Sequence, residues 1–178
     1  IEIGLPIPGV FVDESAGAGT FTTKATYTKF WVTGSGSKGA AGTGGAAATV
    51  TGILSAPIGT SITYTVAAGQ TNAGDPGLLS KIRVDTVDLA ISNGALYIGQ
   101  AISTNVNSGT LNLASNYVLA GHIIPGGSGG LDVSSNDEEA SGTSSFWGSG
   151  YVAGAGPSQV NASAHNSAPG LVKFEWGS

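Results

Sequence analysis

The chain has 178 residues, the length of one ordinary domain, and only 10% of them are charged, well below the roughly one quarter of an average globular protein. Six Lys and Arg against eleven Asp and Glu give a net charge of −5, so no basic stripe exists to track a phosphate backbone and nucleic acid is excluded as an expected partner. Cysteine is absent, which removes disulfides, cysteine nucleophiles and thiolate metal sites together.

Thirty glycines place many positions where only a minimal side chain or a positive φ fits. No stretch approaches the roughly 18 apolar residues that cross a bilayer, so no membrane insertion is expected. The start Ile1-Glu2-Ile3-Gly4 lacks both regions of a signal peptide and is not Met, which suggests a processed protein or a fragment.

Residues 1–12 are apolar but broken by Pro6, Pro8, Gly4 and Gly9, which forbids a helix or a central strand and predicts an extended arm or edge segment. Ile1, Ile3, Leu5, Ile7, Val10 and Phe11 form its apolar side, and an apolar segment that gains little from its own domain is expected to pair with a neighbouring chain in a homo-oligomer, with a trimer as the expected number. Residues 1–18 are therefore read as arm and linker, and 19–178 as a single domain. From Thr20 to Val32 the texture becomes β-branched, aromatic and alternating, which predicts two strands, the second entering the core at Phe30 to Val32.

Residues 34–48 have no periodic apolar face and read as a glycine-rich surface loop. Strands resume at Thr49 to Leu54 and, beyond the turn Ala56-Pro57-Ile58-Gly59, at Thr60 to Val66, where Ile62, Tyr64 and Val66 share a face at period two. Leu79 to Ile91 reads as a pair of strands. Asn93-Gly94 predicts a tight hairpin turn before a strand at Leu96 to Ile98. Further short strands and turns follow to Leu119, then a Gly126–Gly130 loop and an acidic stretch. The chain closes on a strand with Val172, Phe174 and Trp176 on one face. No segment has helical periodicity, so the fold is expected to be all-β, a β-sandwich or jelly roll with long glycine-rich loops at one end, and glycine this abundant also permits packed polyproline II segments.

Catalytic patterns are present in spelling alone. Gly34-x-Gly36-x-x-Gly39 matches a dinucleotide fingerprint but lacks the following helix and the acidic residue about 20 positions on. Gly126-x-Ser128-x-Gly130, with Asp132 and His165 in hydrolase order, lacks the strand, sharp turn and helix of a nucleophile elbow. The chain is thus read as no enzyme, with no cofactor. Asp132, Asp137 and Glu138 offer the hard oxygens calcium prefers, but without a spaced ligand pattern a solvated acidic loop is the plainer reading. His122 and His165 alone make a poor zinc set.

Aromatics set among Ser and Gly carry more weight. Phe146, Trp147 and Tyr151 could stack on a sugar or partner surface while Asn161, His165 and Asn166 add directional hydrogen bonds, with help from residues 34–45; the competing reading is that Phe146 and Trp147 anchor a loop on the core.

Four segments in order resemble one known family: Gly19-Thr20-Phe21-Thr22-Thr23 to Lys29-Phe30-Trp31-Val32-Thr33-Gly34; Gly44 to Val50 with Gly59 to Gly69; Ala140 to Gly150; and Ala168-Pro169-Gly170-Leu171-Val172-Lys173-Phe174-Glu175-Trp176. Together they resemble glycine-rich bacteriophage tail-fibre domains, over about half of the chain; residues 78–135 have no counterpart. The resemblance implies a distal, non-catalytic adhesin on the virion surface that recognises a bacterial glycan or outer-membrane protein. An extracellular pilus-like filament subunit, or a capsid-surface fibre, is the alternative that the same low-charge composition allows.

Overall fold

The computed structural model describes residues 7–38, 42–43, 46–72, 74–95, 109–126, 158–159 and 167–177. These residues form two five-stranded antiparallel sheets and a two-residue ladder, with no helix among them. The first sheet runs β1 (Gly9–Asp13), β12 (Leu171–Trp176), β3 (Tyr27–Thr33), β5 (Thr49–Ser55) and β10 (Val118–Ile124). The second runs β2 (Gly17–Thr22), β6 (Ser61–Val66), β7 (Ser80–Val84), β8 (Val87–Ser92) and β9 (Gly109–Leu111), and the short ladder joins β4 (Gly42–Thr43) to β11 (Ser158–Gln159). The described part of the chain is thus all-β, as expected, with two antiparallel sheets packed face to face.

Period-two patterning makes the sandwich. Phe30 and Val32 of β3, Val50 and Leu54 of β5, Ile62, Tyr64 and Val66 of β6, Ile82 and Val84 of β7, and Val172 and Phe174 of β12 point into one core. Burying a side chain of this size stabilises by about 1.5–3 kcal/mol. The two layers are joined by rings: Phe21 and Phe174 stack with centroids 4.3 Å apart and planes 8° from parallel, and Phe11 and Tyr64 close around Phe174 at 6.2 and 6.5 Å.

Three expectations change. Residues 9–13 do lie at a sheet edge, but they pair with β12 of their own chain, from Gly9↔Trp176 to Asp13↔Val172, rather than with a neighbour. Of the arm residues within the described part, Phe11 is packed against the core, whereas Val10 and Ile7 are exposed; Ile1, Ile3 and Leu5 lie outside the described residues. The boundary placed at residue 18 accordingly falls inside β2, and the sandwich begins at Gly9. Removing residues up to Val12 would strip an aromatic ring from the core as well as any intermolecular contact.

Asn93-Gly94 is not a hairpin turn either. The strand β8 ends at Ser92 and neither Asn93 nor Gly94 takes the positive φ of a primed turn, while the strand expected at Leu96 to Ile98 lies outside the described residues; a sharp reversal lies instead at Asp85-Thr86, where Asp85 takes φ 50, a conformation Asp tolerates better than most residues. Finally, much of the expected surface loop 34–48 is interior: Gly34 to Lys38 and Ala46 to Ala48 are buried.

Candidate functional site

The connections divide between the two ends of the sandwich. Residues 23–26, 56–60, 85–86 and 112–117 make short turns at one end, the base. Residues 14–16, 34–48, 67–79, 93–108 and 125–170 leave from the other, the apex. Ile7 and Gly177 are also at the base, where the Trp176 indole Nε1–H donates to the Ile7 carbonyl at 2.9 Å.

At the apex the strands run on into a layer of extended backbone that belongs to neither sheet. Gly34 to Lys38 is its centre, and it is bonded to three neighbouring segments. Ser35 N–H donates to Leu78 O and Lys38 N–H to Asp75 O, each at 3.0 Å; Ala95 N–H donates to Ser35 O at 3.0 Å; Gly36 N–H donates to Ala168 O at 3.2 Å. A β-strand bonds neighbours in one plane. Three neighbours require backbone groups that point in three directions, as the three-residue turn of polyproline II provides.

Glycine makes that proximity feasible. A Cβ on Gly94 would run into the backbone of Gly77 and Leu78, one on Gly77 into Ser35 and Ala95, and one on Gly126 into Ala46 and Ala47. Serine hydroxyls fill the remaining polar requirements of a buried backbone. Gly34 N–H donates to Ser92 Oγ at 2.8 Å, Leu78 N–H to Ser35 Oγ at 2.8 Å, Gln70 N–H to Ser167 Oγ at 2.7 Å, and Ser167 Oγ–H to Gly36 O at 2.6 Å. Lys38, 2% exposed, donates its ammonium to Thr71 O at 2.7 Å.

This layer is a scaffold. The spelling Gly34-x-Gly36 carries no phosphate cradle, since Gly34 and Gly36 are covered and their amides already donate within the layer. Of the residues 34–45 expected to help in recognition, Gly34 to Lys38 are therefore structural. Phe146, Trp147, Tyr151, Asn161, His165 and Asn166 lie outside the described residues, as do Ser128, Asp132, Asp137 and Glu138; the segments that carry them join described residues at the apex, after Gly126 and before Ser167. His122 sits on the outer face of β10, and among the described residues no three His, Asp or Glu side chains converge.

Sequence reasoning missed the buried layer because glycine-serine composition reads alike in a solvated loop and in close backbone packing. Its one available signal was the dearth of charge from 34 to 48, where Lys38 is the only ionisable residue.

A polar latch closes the link between β1 and β2. Tyr64 O–H donates to Asp13 Oδ2 at 2.7 Å, and burial, reinforced by that carboxylate, pushes the phenol from 10.0 to about 12. A raised acid pKa means that folding favours the protonated phenol. Its stabilisation is complete below pH 10 and is lost as the pH rises towards 12. In thermal melts from pH 8 to 12, Tyr64→Phe should lie below the parent at pH 8 and converge with it at the alkaline end; a constant offset would refute the linkage.

No family model matches the chain, and comparisons with curated proteins and with solved structures give no match.

Proposed function

We propose that this chain is a non-enzymatic adhesin domain of a virion surface, the distal part of a bacteriophage tail fibre, that grips a bacterial glycan or outer-membrane protein through its apical connections. The supporting observation is polarity. Every long connection leaves the sandwich at the apex, the described parts of these connections pack into a buried, glycine-rich layer, and Ile7 and Gly177 sit together at the base. A rigid scaffold with sequence-tolerant loops at one end suits recognition, because loops can vary without disturbing the core. The filament alternative depends more heavily on an exchanged arm, and with Gly9 to Asp13 paired inside their own sheet it has the weaker support.

Adsorption to bacterial cells tests the reading. Trp147→Ala and Tyr151→Ala should each weaken adsorption by a hot-spot-sized step of about 2 kcal/mol, roughly 30-fold, with little change in melting temperature. Adsorption that persists while the melting temperature collapses would return these rings to a core role. Electron microscopy separates the filament alternative, which requires indefinite polymers where a fibre tip gives discrete monomers or trimers.

A further inference from the structure

The outer face of the first sheet carries a trough that the apical reading does not use. Its floor is β5, where Thr51 and Ile53 face outwards beside the bare backbone of Gly52 and, on β10, Gly121. Its walls are the neighbouring strands. Trp31 and His122 stand in one cross-strand row, both in register with Thr51, and Lys29 and Ala120 stand in the next, both in register with Ile53. The hollow between these walls has a volume of about 410 Å³. It adjoins a second hollow of about 280 Å³ nearer the base, also lined by Lys29 and Ile53, whose rims are Tyr27 and Leu119, each 60% exposed.

Trp31 is braced for stacking. Lys173, its register partner on β12, holds its ammonium 4.4 Å from the indole centroid, within the range of a cation–π contact. Lys173 thereby covers one face of a ring that also lines the hollow. A wall fixed in advance lowers the entropy lost on binding. Strands β3 and β10 are two strand spacings apart, about 9.5 Å. A planar ring held between two surfaces at contact distance needs about 7–8 Å, so the trough has room for the extra thickness of a puckered pyranose. Lys29 and His122 supply polar atoms for its hydroxyls, and Thr51 Oγ1, whose proton is donated to the Phe30 carbonyl at 2.8 Å, can accept one more hydrogen bond.

Charge narrows the class. Lys29, Lys173 and Glu175 cluster on this face, with Lys173 Nζ 3.4 Å from Glu175 Oε2 and Lys29 in register with Glu175. Two cations and one anion leave a local +1 on a chain whose net charge is −5. We infer that the trough between Trp31 and His122 binds a carboxylate-bearing oligosaccharide, one sugar in each hollow, as a second glycan site distinct from the apex. The choice of a sugar over another puckered ligand rests on the adhesin reading.

The test is titration of the ¹⁵N-labelled protein with trimers of galacturonate, glucuronate and mannuronate to about 10 mM, enough to fill most of a site of about 1 mM affinity. At least one should shift the Trp31 indole N–H and the amides of Thr51 and His122, and Trp31→Ala should weaken that response about tenfold. Lys29→Gln, a milder surface change, should weaken the acidic trimers and leave the weak response to neutral maltotriose unchanged. Several outcomes overturn the inference: no acidic trimer moves these signals, maltotriose binds equally well, or the same signals shift with protein concentration alone, which would give the face to a second copy. Adsorption to bacteria, measured alongside, keeps the two proposals apart. Intact adsorption without uronate shifts removes the trough and leaves the adhesin, whereas uronate shifts without adsorption do the reverse.

Discussion

Gly94→Ala is expected to lower stability by about 3 kcal/mol or more, although it adds a single methyl group. Overpacking a well-packed core costs about 1–3 kcal/mol, and here the added carbon meets the backbone of Gly77 and Leu78 rather than a side chain that can rotate away. The two segments must separate. That movement strains the bonds from Ala95 N–H to Ser35 O and from Gly77 N–H to Ala95 O, each worth about 1 kcal/mol net. For a domain of this length the melting temperature should fall by roughly 6–12 °C. Gly59→Ala is the natural comparison. Its φ is +91 and nothing stands within 4 Å of the added carbon, so only the conformational penalty of about 1–2 kcal/mol applies. Equal melting temperatures for Gly94→Ala and the parent would mean that the layer is looser than its backbone bonds imply.

Phe174→Ala should be costlier still, about 3–5 kcal/mol in urea unfolding. The ring is fully buried, stacks on Phe21 across the sandwich and touches Phe11 and Tyr64. Its loss opens a cavity where both sheets and the edge strand meet. Phe174→Leu keeps most of the volume and should recover the greater part of the loss. If the alanine variant loses less than about 1 kcal/mol, the sheets are held together elsewhere.

What could be read in advance follows from how much of the chain has a two-sided environment. Ile62, Tyr64 and Val66 alternate with Ser61, Thr63 and Thr65 because one face of β6 meets the core and the other meets water, and period two announces that asymmetry. The same logic located β3, β7 and the closing strand β12. Pro6 and Pro8 correctly indicated an edge, yet composition said nothing of which edge, so Phe11 was given to a neighbouring chain when Phe21, Tyr64 and Phe174 of its own chain receive it. Gly34 to Lys38 failed for a different reason. A segment enclosed on several sides has no periodic face, and hydrophobicity cannot distinguish it from a loop with no neighbours at all. Asn93-Gly94 was misread similarly, because glycine there admits a close backbone and not a turn. Trp31 escaped notice as a candidate ligand group because its partners, Thr51, His122 and Lys173, come from three other strands.

The placement of Ile7 and Gly177 beside one another at the base has a mechanical meaning. Tension applied between these two residues would peel β1 from β12 from the Gly9↔Trp176 end, breaking interstrand bonds one after another. Tension applied between apex and base acts along the strands instead, perpendicular to those bonds. The ladders lying between the loaded strands then resist in shear, several bonds at once. The fold is therefore easier to unzip from the Gly9↔Trp176 end than to pull apart along its strands, so the direction of an applied load decides how the sandwich yields.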